Sequence, residues 1–304
     1  MNENCSNEQV VYRFEKNLRN SRNTYIQLIQ LHNLIVNNLN KHIILDFCKV
    51  QFISANLFAL LGCSLDIGLY LNKNQIFFKD LHPEIQKVIC KNGFAEYLLW
   101  PPLADQYHST MHYVRFDANT VQLESFEKYL IINVFERKQM PSMSNSYKEQ
   151  IVDTLLEVFN NVIDHANCAH VYVCGQYFHK YKKLIFSIID AGKTFRDNVS
   201  DFLRHIGKEV PKNAVSWAIL PGNSTKVGSA PGGLGLPTLL DFLKNNNGQF
   251  TLISGNEIFE HYRGYDHFSR LECSFPGTIV SVEINMNDSN FYFLPDNGSR
   301  SFVF

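Results

Sequence analysis

The residues best suited to chemistry lie in the stretch Glu157-Val-Phe-Asn-Asn-Val-Ile-Asp-His-Ala166. A helical pattern that begins near Ser146 runs through it. At ~100° per residue, Ile151, Leu155, Val158 and Val162 fall on one line, which Phe159 and Ile163 widen into a buried face. Glu157, Asn161, Asp164 and His165 cluster along a different edge. A carboxylate one turn from a carboxamide offers a proton acceptor beside a neutral oxygen ligand. On an isolated helix such an edge is ordinarily just solvated, so any chemistry needs partners from elsewhere in the chain.

Two later stretches supply them. Leu184 to Ile189 reads as a buried strand that runs into Asp190-Ala-Gly192. Pro231-Gly-Gly-Leu-Gly-Leu-Pro237 opens a further helical pattern, Thr238 to Lys244. Backbone N–H groups at a helix start, backed by the helix dipole, favour anions. An asparagine helix, then strand-Asp-x-Gly, then Gly-Gly-x-Gly-Leu resembles in order the N, G1 and G2 boxes of the GHKL ATPases. These include gyrase, heat-shock chaperone, histidine kinase and mismatch-repair proteins. The resemblance covers about residues 111 to 286.

The resemblance implies ATP and Mg²⁺ as cofactors. Asn161 would bind the metal through its amide oxygen, and Glu157 would be the general base, for water or for an acceptor hydroxyl. Asp190 would accept from the adenine amino group, Gly192 would keep the chain close beneath the ring, and Thr278 would help hold the adenine edge. Gly232, Gly233, Gly235 and Leu236 would present backbone N–H groups to the phosphates. Lys226 reads either as a lid cation for the terminal phosphates or as an exposed loop lysine. Asp164 and His165 would help organise water or phosphate, or only form polar edge. Thr194 stands where the family's second G1 glycine belongs; a side chain there would restrict the backbone and narrow the pocket. The interval Arg196 to Ala230 reads as long, polar and irregular. In GHKL proteins it holds the lid over the nucleotide, and Trp217 is read as packing within it.

Upstream, strands are expected at Val10–Phe14, His42–Phe47 and Gln75–Phe78, with helices at Asn23–Asn38, Ser54–Tyr70 and Glu84–Lys91. The last is stopped at Asn92-Gly93 by a left-handed cap. ILDFCKVQFISANLFALL, in about residues 40 to 95, resembles the STAS domains of anti-sigma-factor antagonists. In those domains Phe-Ile is followed by Asp-Ser, the serine being phosphorylated. Here Ser54-Ala55 follows, so alanine takes the phosphoacceptor position and Ser54 reads as an N-cap whose hydroxyl accepts from the first turn. Trp100-Pro-Pro-Leu-Ala104 reads as the boundary between a STAS-like domain, 1–104, and a GHKL-type domain, 105–304.

The expected fold class is α/β (α+β): an α/β domain, then a sandwich with helices on one face of a mixed sheet. Strands are expected at Met111–Phe116, His170–Tyr177, Lys183–Ile189, Phe250–Ile253 and Thr278–Ile284, and a helix at Leu123–Arg137. The formal net charge of -1 carries no overall bias toward nucleic acid or anionic membrane. The seven cysteines form no CxxC pair and read as reduced thiols. His165, Cys168, His170 and Cys174 match no zinc spacing. The apolar run Ile53 to Leu71 is broken by Asn56, Ser64 and Asp66, which argues for an amphipathic helix in a soluble domain over a span. The expectation is a cytoplasmic regulatory ATP-binding protein. It would hydrolyse ATP or pass its phosphate to a protein partner met through the STAS-like domain or the lid. An ATP-dependent switch without catalysis, an interaction protein with idle boxes, and a homodimer all stay open.

Overall fold

The computed structural model describes residues 8–223 and 235–294. The chain begins with β1 (Gln9–Arg13), α1 (Arg22–Val36), β2 (His42–Asp46), α2 (Phe58–Asp66), β3 (Gln75–Lys79) and α3 (Pro83–Lys91). Then come β4 (Thr110–Asp117), α4 (Leu123–Leu130), β5 (Ser142–Met143), α5 (Asn145–Asn161), β6 (His170–Phe178) and β7 (Lys183–Asp190). The remainder is α6 (Phe195–His205), α7 (Ala214–Ala218), α8 (Gly235–Asn245), β8 (Gln249–Tyr262), β9 (Tyr265–Asn285) and β10 (Phe291–Tyr292). Single π turns prolong α2, α4 and α5 to Leu71, Phe135 and Ala166. Gly93 ends the α3 region at φ +83, the left-handed conformation that glycine adopts without strain.

The coarse class is the mixed α/β one expected. β1, β2 and β3 make a three-stranded parallel sheet. The larger sheet has the order β4-β6-β7-β9-β8 and is antiparallel throughout, where the sequence suggested a mixed sheet. Connectivity dictates two of the four pairings: β6–β7 and β8–β9 are hairpins, and a short turn can only return the chain antiparallel. The second hairpin is far longer than its ends suggested, with strands of 14 and 21 residues. Arg263 and Gly264 turn it, both at positive φ. Polar residues in its distal half, among them Glu260, Asp266 and Arg270, hide the alternation that marks its base.

Alternation along β7 divides the molecule into layers. Leu184, Phe186 and Ile188 face one core, built with Ile151, Leu155 and Phe159 of α5 and Leu239 and Phe242 of α8. Ile189 faces a second core, built with α1 and α2. Both faces of the large sheet are therefore covered, and the N-terminal helices supply the cover expected to be missing on one of them. Every residue of α2 from Phe58 to Asp66 is buried, so this helix is not amphipathic. It is enclosed by α1, β6 and β7, and a helix apolar all round is what such a position requires. Among the described residues no helix is long and apolar enough to cross a membrane.

A buried polar seam crosses the second core. Asn56 donates from Nδ2 to Ser187 Oγ at 3.0 Å and to Asn20 Oδ1 at 3.2 Å. Tyr25 and Ser281 hydroxyls also donate to Asn20 Oδ1. Ser54 does stand at an N-cap position, but its hydroxyl donates to Asn56 Oδ1 at 2.6 Å instead of accepting from the first turn. The buried carboxamide is the stronger local acceptor, and accepting from Ser54 completes its own bonding. Asn56→Ala strands the groups it satisfied, at about 1–3 kcal/mol each before relaxation. We expect urea unfolding to show a loss in that range; an unchanged midpoint would mean that the seam contributes nothing net.

Candidate functional site

A cleft opens where α5, the C-terminal end of β7 and the start of α8 converge. Ser144 starts α5 properly, its hydroxyl accepting from Tyr147 N at 3.2 Å. The apolar face of α5 then locks into the first core, which turns Glu157 and Asn161 toward the cleft. Among the described residues neither side chain has a hydrogen-bond partner, so both are available to something in the cleft. Asp190, which follows Ile188 on the α5 side of β7, forms the floor with Thr278, its register partner on β9. Leu236 and Pro237 bring in the first turn of α8. The cleft encloses about 940 Å³ of space counting its open mouth. It is a narrow slot of the kind that takes a thin, partly apolar ligand.

Asp190 is the electrostatic anomaly of the site. It is 3% exposed, and burial pushes its carboxyl up to about 7. The Gly192 N–H, at 3.0 Å from Oδ1, and Thr278 pull the other way without overcoming that burial. A carboxyl poised near neutrality in a cleft is a functional-site signature, since structural carboxylates are normally paired or exposed.

Two glycines allow the chain segments to meet here. A Cβ on Gly192 would lie 2.1 Å from the Ala166 carbonyl oxygen, at the end of the α5 extension. A Cβ on Gly277, whose φ is +90, would lie 2.2 Å from the Asp190 carbonyl. Lys193 N donates to that same Ala166 oxygen at 2.6 Å. Gly192 is thus a close-packing residue behind the cleft wall, fastening the asparagine helix to the strand that carries Asp190.

Thr194 has a definite job. Its hydroxyl accepts from Asp197 N, and the Asp197 carboxylate accepts from Thr194 N at 2.9 Å, a reciprocal capping box that starts α6. The interval read as irregular from Arg196 therefore holds two helices, α6 and α7, before it leaves the described residues after Asn223. Its charged, weakly apolar composition concealed them. The helices share a small cluster of their own, Val199, Leu203 and Ala214, and Val215 and Ile219 are buried in the first core.

Of the residues singled out from sequence, Glu157, Asn161, Asp190, Leu236 and Thr278 come together in the cleft wall. Gly235 is the first residue of α8. Asp164 is an exposed residue of the π turn that follows α5 and does not form part of that wall; His165 follows it in the same turn. Lys226, Gly232 and Gly233 lie outside the described residues. The wall also contains Lys193, Asn198, Trp217 and Asn223, which the motif reading passed over as cleft residues. The capping pair Thr194–Asp197 was the available signal: a helix starting at once after Asp-x-Gly carries its first turns back over the floor. In comparisons with known proteins, the chain matches no family model and no curated protein.

Proposed function

We propose that the cleft binds ATP with Mg²⁺ and that the protein is a regulatory ATP-binding protein of the GHKL type, hydrolysing the nucleotide or transferring its phosphate to a protein partner. One observation carries the reading: residues from four separate segments, Glu157 and Asn161, Asp190, Leu236, and Thr278, line one narrow slot. The slot fits the ligand's parts. Asp190 and Thr278 offer a polar floor to an adenine edge, and Val158, Ile188 and Val280 offer apolar walls to its ring. Asn161, free of internal partners among the described residues, suits a metal that keeps most of its waters and takes one or two protein oxygens. Glu157, one turn away, is placed to take a proton from water or a hydroxyl. The STAS-like N-terminal segment, packed against the back of the same sheet, is the candidate site for a protein partner.

A switch that binds ATP without catalysis is the second reading. The feature that favours it is the Thr194 capping box, which makes a regular helix of the segment expected to move. Titrating ATP–Mg²⁺ into the wild-type protein tests the shared core of both. Saturating nucleotide at about 100 times its Kd is expected to add roughly 2.7 kcal/mol of stability by mass action. If calorimetry records no heat and the melting temperature does not move, ATP is not the ligand. Release of phosphate or a labelled partner then separates turnover from binding alone.

A further inference from the structure

Glu257 on β8 is a carboxylate with 1% exposure, placed between the cover of the cleft and the sheet. Its Oε1 accepts from Arg196 Nε at 2.9 Å and also from Arg196 Nη2. Its Oε2 accepts from the backbone N–H groups of Ala214 at 2.7 Å and Val215 at 3.0 Å. Four donors meet a group with about four acceptor sites, so the buried charge is fully satisfied. The two N–H groups are the otherwise unpaired donors of the first turn of α7. The Lys212 carbonyl accepts from both Arg196 and Arg270, which fixes the approach to that turn. Asn213 Oδ1 accepts from Ser216 N, and Asn223 Nδ2 donates to Trp217 O, which ties α7 to the residues on either side of it.

α6 and α7 share an apolar cluster of their own, Val199, Leu203 and Ala214, while Val215 and Ile219 are buried in the first core. We propose that Glu257 is a positioning residue that latches α6 and α7 to β8 and so sets Trp217 and Asn223 against the cleft, fixing its affinity for nucleotide. This rests on reading the cleft as the nucleotide site. A buried carboxylate with four charge-assisted bonds is directional where apolar packing is not, so it selects one placement of the cover.

Trp217 reports on the latch directly. The chain has two tryptophans, and Trp100→Phe leaves Trp217 as the sole emitter. In that background Glu257→Gln replaces one acceptor oxygen with an amide that faces donors. Arg196→Gln leaves the carboxylate on the two backbone N–H groups and touches a half-exposed side chain, so it remains informative should Glu257→Gln not fold. Both variants are expected to increase acrylamide quenching of Trp217 and to speed amide exchange at residues 214–218, Glu257→Gln more strongly. If the closed placement falls to about a tenth of the population, the apparent Kd for ATP–Mg²⁺ weakens about tenfold. Unchanged quenching and exchange in the variants that fold would overturn the latch, whatever the nucleotide result. Looser Trp217 with unchanged nucleotide affinity would overturn the positioning role and leave the nucleotide site standing. Wild-type protein that binds no ATP would overturn the nucleotide reading and the positioning role together, while the quenching data still judged the latch.

Discussion

Glu157→Gln is expected to abolish turnover and leave nucleotide binding intact. Glutamine keeps the length, the helix preference and the place in the cleft wall, but it cannot take a proton from water or a hydroxyl. A positioned general base contributes about 10²–10⁴-fold, a loss that is measurable even in a slow enzyme. Asn161→Ala should behave differently, losing the Mg²⁺-dependent part of binding itself. The two side chains sit one turn apart in the same cleft, and among the described residues neither is held by an internal hydrogen bond. A folding defect is therefore not expected from either change. Single-turnover phosphate release and calorimetry on both variants make the comparison. Turnover that survives Glu157→Gln would place the base elsewhere. Equal binding with no turnover in the wild type, with any partner offered, would make the non-catalytic switch the better account.

Asp190→Asn is expected to act on stability and on binding in opposite directions. The folded-state carboxyl is pushed up to about 7 by burial, against about 3.9 in an unfolded chain. Between those values the folded protein holds a proton that the unfolded chain has released. Stability contributed by the protonated form is thus full below about pH 4 and is lost as pH rises through 7. Asparagine cannot ionise, so the variant should lack this fall. In the absence of nucleotide its melting temperature is expected to exceed that of the wild type at pH 8, by less at pH 5, and to converge with it only below about pH 4.

Nucleotide affinity should move the other way. The ionised wild-type carboxylate accepts from an adenine amino group, so affinity should rise with pH through about 7. Asparagine presents a donor as readily as an acceptor. Loss of a hydrogen bond to a charged group, roughly 1.5–3 kcal/mol, corresponds to weakening of roughly 10- to 150-fold. Wild type at pH 5 should then resemble the variant at pH 8. An affinity independent of pH, combined with full binding by Asp190→Asn, would remove Asp190 from ligand recognition.

The parts of this protein that follow from local rules are readable before any fold is known. The buried and polar edges of α5 were legible because helical periodicity is intrinsic to the chain, and Ile151, Leu155 and Phe159 are indeed its buried line. The extent of β7 and the C-terminal end of β9 were legible from their apolar runs, and the stop at Gly93 from its residue type. The coarse α/β class was legible in the sequence, and the family resemblance singled out Glu157, Asn161, Asp190 and Thr278, which the fold brings into one cleft wall. Tertiary structure decided what depends on distant neighbours. Whether α2 is amphipathic or buried on every side is settled by the sheet that lies behind it. Whether the large sheet is mixed or antiparallel is settled by the long-range pairings of β4 with β6 and of β7 with β9, and the polar distal half of β8–β9 masked its longest hairpin. Gly192 looked like a residue for approaching a ligand, and only the Ala166 carbonyl pressed against it shows the close packing it permits. The ionisation of Asp190 is the sharpest case: an aspartate after a buried strand looks the same in any sequence. It is the water-excluded floor between α5 and β9 that raises its carboxyl toward neutrality, because removing solvent costs the charged form more than two neighbouring donors restore.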